Sequence, residues 1–214
     1  MTFDKNAFEK FTIENQVIGI QDSPITLKSG KKSYFYVNWR NITSDVFLLD
    51  QCSNFIIDFC KENNVIPDCF YGVPEGASKL GIITQYKWAF QDNCKKNSHI
   101  LPMGRSKEKL HGAPQDRYFI GQPQGKVILL EDVTTTGQSM LDTLDKLLEL
   151  KTNVIACIAL TNRESMDDDS VKEKVEKRNI NYLSLSTAKP LLKQLIEKEP
   201  LTHPELKKEI ESLR

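Results

Sequence analysis

Hydrophobic positions along the chain alternate between a helical and an extended period. Residues 4–18 carry apolar groups at helical spacing and predict an amphipathic helix ending near Gly19. "PITLKSGKKSYFYVNW" predicts two short extended pieces around a Lys-Ser-Gly-Lys turn. Over 44–63, opening at Ser44-Asp45, Phe47, Leu48, Phe55, Ile56 and Phe59 return to the helical period. After Pro67 come a strand, "CFYGV", a helix, "GASKLGIITQYKWAF", and a strand, "HILPM". "GRSKEKLHGAPQDRYFIGQPQGK" shows no apolar period and predicts a long loop closing on a short hairpin. The strand "VILLE", the helix "GQSMLDTLDKLLEL" and the strand "NVIACIAL" follow. A helix around 170–178, the strand "INYLSL" and further helices complete the pattern.

Strands that alternate with helices and are apolar throughout imply an α/β fold, a mainly parallel sheet covered on both faces. Ligands of such sheets sit beyond the carboxyl ends of the strands. Chemistry is therefore expected just after positions 72, 103, 130 and 160. A chain of 214 residues suits a single domain spanning 1–214.

Composition narrows the partners. The 29 basic and 29 acidic residues cancel, which argues against broad nucleic-acid or anionic-membrane binding. No apolar run approaches the roughly 18 residues of a membrane span. "MTFDKNAFEKF" lacks the apolar centre of a signal peptide. Cys52, Cys60, Cys69, Cys94 and Cys157 are odd in number and show no CxxC spacing, so core packing in a reducing, cytoplasmic compartment is expected.

"KVILLEDVTTTGQSM" carries the strongest chemical signal. Glu131 and Asp132 stand where an apolar strand leaves the core, followed by Val133, Thr134, Thr135, Thr136, Gly137, Gln138 and Ser139 at a helix start. Backbone N–H groups and hydroxyls of such a loop can surround a phosphate, helped by the positive helix end. Adjacent carboxylates accept hydrogen bonds from vicinal ribose hydroxyls. Together they describe a ribose 5-phosphate site. Ordinary helix capping would use one acid or threonine and leaves the rest of the string without a role.

"VILLEDVTTTGQS" resembles the phosphoribosyl diphosphate (PRPP) signature of type I phosphoribosyltransferases. "GRSKEKLHG", with Arg105, Lys107, Lys109, His111 and Gly112, resembles the mobile catalytic loop of orotate phosphoribosyltransferases, which closes over pyrophosphate in the neighbouring subunit. Ser106 stands where a second basic residue is frequent. "TLKSGKKSYFYVN" is similar to that family's N-terminal "LKSG…SPYF" segment, with Tyr34 where proline is common. "YGVPEGASKLGI" matches its PRPP-contacting lysine turn, with Pro74 and Gly76 shaping the bend, and "IALTNRES" puts Arg163 at its orotate-carboxylate position.

The resemblance implies a type I phosphoribosyltransferase fold with a small N-terminal hood over about 1–40 and a mobile loop over 104–119. It implies transfer of ribose 5-phosphate from PRPP to orotate, giving orotidine 5′-phosphate and pyrophosphate in de novo pyrimidine synthesis. Lys109, Arg105, His111 and Asp132 are then the catalytic candidates. Lys28, Tyr36, Val37, Thr135 and Arg163 would meet orotate. Ser78, Lys79, Arg105, Ser106, Lys109, His111 and the run from Glu131 to Ser139 would meet PRPP. Mg²⁺ would be held mainly by PRPP and water, without a dedicated protein ligand, and the active unit would be a homodimer. Two other readings stay open at this point: a transferase for another base, and a non-catalytic PRPP-sensing regulator on the same fold. The acidic run "ESMDDDS" carries no assignment beyond a solvated loop.

Overall fold

The computed structural model describes residues 2–27, 30, 32–105, 107–111, 114–198 and 204–214. Asp4 caps α1 (Lys5–Glu14), its carboxylate accepting the Ala7 N–H at 3.0 Å. The helix ends four residues earlier than its apolar period suggests. Gln16 turns the chain with a φ of 54°, and Val17 and Ile18 are drawn into the core as the next strand begins. That strand, β1 (Ile18–Thr26), pairs antiparallel with β2 (Lys32–Val37), so the first extended piece starts well before "PIT". Its register slips between Ile20 and Ile25, across Pro24, which has no N–H for a ladder.

α2 (Arg40–Ser44) precedes α3 (Val46–Glu62), whose start is set by Asp45 accepting the Leu48 N–H at 2.9 Å. β3 (Cys69–Gly72) leads to α4 (Ser78–Gln91). The region expected to be one strand and a long loop closing on a short hairpin holds β4 (Met103–Gly104), α5 (Pro114–Tyr118) and β5 (Phe119–Ile120), with β4 and β5 paired antiparallel. "HILPM" thus forms a strand only at its last residue, and Gln85 supplies the reason. Its buried amide takes the Phe70 N–H at 2.9 Å and donates to the Ile100 carbonyl at 2.9 Å, filling the β3 edge where that strand would have paired.

β6 (Val127–Thr134), α6 (Gln138–Glu149), β7 (Val154–Asn162), α7 (Val171–Glu176) and β8 (Asn181–Thr187) follow, then α8 (Ala188–Lys198) and α9 (Pro204–Ser212). The central sheet is parallel, in the order β3-β6-β7-β8. Alternate residues of β6 enter different cores, which is why its sequence is apolar without interruption. Ile128 and Leu130 meet Phe8, Ile56 and Leu80, whereas Val127 and Leu129 meet Met140, Leu144 and Val171. A third cluster joins Ile18 and Phe35 to Leu191, Leu192, Leu206, Ile210 and Leu213, so the β1–β2 hood is completed by α8 and α9. Cys52, Cys60, Cys69 and Cys157 are buried, and burial pushes the Cys60 and Cys69 thiols up to about 12. They are core residues, as their apolar contexts suggest.

Arg178 grips Asp145 through both nitrogens, Nε at 2.5 Å and Nη2 at 2.7 Å, tying the segment after α7 to α6. Hydrogen bonding from Arg178 holds the Asp145 carboxyl below its ordinary 3.8, so its contribution is present above that pH and fades as pH falls through and below it. Because the pair is partly exposed, Asp145→Asn is expected to cost only about 0.5–1 kcal/mol at pH 7. The difference from the parent in urea melts should close as the pH drops below 3.8.

Candidate active site

The carboxyl end of β6 runs into the turn that opens α6. Gly137, at the helix N-cap with a φ of 73°, gives no side-chain cap, so neither the threonines nor the acids are consumed by capping. The first N–H groups of α6 face a turn edged by Thr135 and Thr136, an arrangement suited to an anion. A Cβ on Gly137 would meet Val171 at 2.7 Å, so α7 packs directly against the turn. From α7, Lys174 also donates to the Thr136 carbonyl at 3.4 Å. β6 is longer than the pattern suggests and includes both acids and Thr134. The Thr134 hydroxyl is buried against that of Tyr182 at 2.6 Å and faces the core rather than the turn. Gln138 spends its amide on Asp142.

Glu131 is buried, and Asp132 is half-buried beside the Val73–Ala77 turn. Asp132 Oδ1 accepts the Val133 N–H at 2.8 Å, and a Cβ on Gly76 would lie 2.9 Å from Asp132 Oδ2. Ser78 and Lys79 open α4 from the same turn, with Lys79 exposed. The turn is pulled close to the sheet: a Cβ on Gly72 would run into the Ala77 backbone, and one on Gly81 into the Gly72 backbone.

Arg163 lies at the end of β7, its N–H bonded to the Thr134 carbonyl at 2.8 Å. Its neighbours are locked: Glu164, itself buried, accepts from Asn162 Nδ2 at 2.8 Å and takes the Val171 N–H. The guanidinium is buried, stacked 4.4 Å over the Phe35 ring, with Nη2 donating to Ser33 Oγ at 3.3 Å. Nε has no hydrogen-bond partner among the described residues. Burial lowers the guanidinium's pKa and Glu209 opposes the shift, although an arginine stays protonated in proteins. Beside it is a cavity of about 250 Å³ bordered by Phe35, Thr135, Thr136 and Arg163, and also by Glu209 and Leu213. That is below the roughly 300–1,000 Å³ of larger ligand pockets and suits a single small ring.

The cavity thus joins Arg163 and Thr135 of the expected base-binding set. Lys28 and Ser106 lie outside the described residues. Tyr36 packs its ring on Gly19, and Val37 is shared between two cores, while Phe35 and Lys32 line the cavity from β2. The period-two alternation of Ser33 and Phe35 was the available signal for this. Glu209 and Leu213 had none, being remote in sequence. "ESMDDDS" is more than a solvated loop: Asp167 and Asp168 edge the cavity and Met166 N–H donates to the Ser212 carbonyl.

The basic loop stands apart from the cavity. Its base is stitched to the Val73–Ala77 turn, since a Cβ on Gly104 would collide with Tyr71 Oη and Pro74 Cγ. Arg105 N–H donates to Tyr118 O at 2.8 Å and Lys109 N–H to Arg117 O at 3.0 Å, holding both residues against the end of α5. Lys107, Lys109, Leu110 and His111 are exposed. Among the described residues no three His, Cys, Asp or Glu side chains group as a metal site.

A parallel sheet carrying an acid pair, a threonine-rich phosphate turn and a hood over its carboxyl edge is the type I phosphoribosyltransferase fold. Solved structures agree. The orotate phosphoribosyltransferase of Francisella tularensis superposes with a TM-score of 0.68 at 18% identity, covering 96% of both chains. Its counterpart from Aeropyrum pernix gives 0.66 at 19% identity, over 88% of this chain and 97% of that one. Adenine phosphoribosyltransferase of Leishmania tarentolae gives 0.51 at 14% identity, over 82% and 86%. No family model matches the chain. Among curated relatives, orotate phosphoribosyltransferase of Aquifex aeolicus is 30% identical over 184 residues, 84% of this chain and 93% of that protein. That of Caenorhabditis elegans is 29% identical over 180 residues, 82% and 72%. The chain belongs to the orotate phosphoribosyltransferase family.

Gly137 offers a test of the phosphate turn. Gly137→Ala combines a left-handed backbone with a clash on Val171 and should cost about 2–4 kcal/mol. Adding Val171→Ala should recover only the steric part, leaving at least ~1 kcal/mol of backbone strain in urea melts.

Proposed function

We propose that this protein transfers the ribose 5-phosphate of PRPP to orotate, releasing orotidine 5′-phosphate and pyrophosphate. The observation that carries this is Arg163: a buried arginine at a strand end that borders one small cavity together with Thr135 and Thr136 of the phosphate turn. A planar base bearing a carboxylate would be held there by the guanidinium of Arg163 and lie next to the anchored ribose. The orotate phosphoribosyltransferase of Mycobacterium tuberculosis, 16% identical to this chain, has been solved in complex with PRPP.

Displacement at the anomeric carbon builds positive charge on the sugar and negative charge on the leaving pyrophosphate. Positioning and charge stabilisation suffice, without a nucleophilic side chain. Thr135 to Ser139 would anchor the 5-phosphate, and Glu131 and Asp132 the ribose hydroxyls. Arg163 and Lys28 would orient orotate, with Phe35 of β2 against the base in place of Tyr36 and Val37. Ser78, Lys79, Arg105, Ser106, Lys109 and His111 would meet the diphosphate. Mg²⁺, held by PRPP oxygens and water beside Glu131 and Asp132, would offset diphosphate charge. The exposed loop carrying Leu110 suits closure across a homodimer. Buried free thiols suit a reducing, cytoplasmic setting. Among the described residues, no helix is long and apolar enough to cross a membrane.

Orotate absorbance should fall when PRPP and Mg²⁺ are added to the protein; no change would remove the proposal, and turnover of another base instead would redirect it. Lys109→Ala should lower kcat by about 100-fold or more with an unchanged melting curve. If the loop serves the neighbouring subunit, mixing inactive Lys109→Ala with inactive Arg163→Ala protein should restore part of the activity after subunit exchange. Failure to recover, with exchange demonstrated, would place the loop over its own subunit's site.

A further inference from the structure

Resting on the function above, we propose that α9 forms the outer wall of the acceptor-base cavity and that Glu209 is a positioning residue for orotate. Arg163 rests on one rung of β2. Its ring-stacking partner is Phe35, its hydrogen-bond partner is Ser33 Oγ, and Ser33 Oγ in turn donates to the Phe35 carbonyl at 2.8 Å. Tyr34 lies between these two residues, and its N–H donates to Glu209 Oε2 at 2.9 Å. That N–H is outside the β1–β2 ladder, and a carboxylate acceptor makes the bond charge-assisted. Glu209 therefore clamps, from 175 residues away in sequence, the short stretch of strand on which the guanidinium sits.

The clamp is itself anchored. Leu206 and Ile210 bury the apolar face of α9 against the hood, joined by Leu213 just past the helix, in the cluster that contains Phe35. Beyond the helix, Ser165 bridges Leu213, Met166 N–H donates to Ser212 O at 2.7 Å, and Arg214 N–H donates to Glu164 O at 2.9 Å. Residues on both sides of the cavity, β2 and the segment after Arg163, are thus held by one helix. Glu209 reaches the cavity surface from it, and Leu213 from just past its end. The carboxylate also favours the buried positive charge of Arg163, while the strand contact sets the geometry.

Loosening this clamp should weaken base binding and leave PRPP handling alone, because the phosphate turn and the acid pair belong to β6 and α6. Glu209→Ala is expected to raise the KM for orotate about 10-fold or more, the loss typical of a charge-assisted hydrogen bond. The kcat and the KM for PRPP should stay within about 3-fold, and Glu209→Gln, which keeps an acceptor for the Tyr34 N–H, should restore most of the orotate KM. An unchanged orotate KM in Glu209→Ala, or an equal loss in kcat and both KM values, would overturn the proposal, as would Glu209→Gln behaving like alanine. Should the alanine variant not fold, Glu209→Asp withdraws the acceptor by one methylene and should still raise the orotate KM selectively; no rise overturns the proposal. The parent protein assayed alongside separates the two levels. A parent inactive on orotate overturns both readings, whereas an active parent with an indifferent Glu209 overturns only this one.

Discussion

A guanidinium taken out of water constrains everything around it. Arg163 is buried, and a charged group in that position must be met by aromatic faces, hydroxyls or a ligand. The fold supplies Phe35 and Ser33 from the hood, and the residue also borders a cavity. Supporting such a residue requires the end of β7, the hood strand β2 and the last helix to keep fixed relative positions. Each is held by a different kind of bond: a sheet hydrogen bond to Thr134, a stacking contact, and the Tyr34–Glu209 clasp. The same constraint explains why two buried polar neighbours, Glu164 and Asn162, lock to each other instead of competing for Arg163.

The parallel sheet turns this local geometry into a site. Strands β3, β6 and β7 all deliver their loops to one edge, so the Val73–Ala77 turn, the phosphate turn and Arg163 converge although about thirty to sixty residues separate them, as parallel crossovers require. Close backbone approach at Gly72 and Gly81 brings α4 down onto β3, and Gly76 sits against Asp132 as a result. Gln85 closes the outer edge of β3 with a side-chain amide, which frees the following segment to leave the sheet and rise as the basic loop.

Much of the fold was legible from local pattern. The apolar runs of β3, β6, β7 and β8 and the helical periods of α3, α4 and α6 identify themselves because each element buries a face of fixed periodicity. Where local pattern misled, a tertiary partner had replaced a local one. The helix over 4–18 stopped at Glu14 because the following apolar residues belong to the hood strand and its core. "HILPM" looked like a strand, but the partner edge it needed was occupied by Gln85.

The site divides along the same line. The sequence by itself determined the phosphate turn, the acid pair and the post-strand arginine, because each is a short segment whose chemistry and backbone requirements are written in adjacent residues. Only the tertiary structure decided that Phe35 lines the cavity, that Thr134 turns away toward Tyr182, and that Glu209 of α9 borders the same cavity. Those facts depend on which faces meet after the chain has folded. A contact between Tyr34 and a carboxylate in the last helix leaves no periodicity to read, since it is one hydrogen bond between elements that only packing brings together.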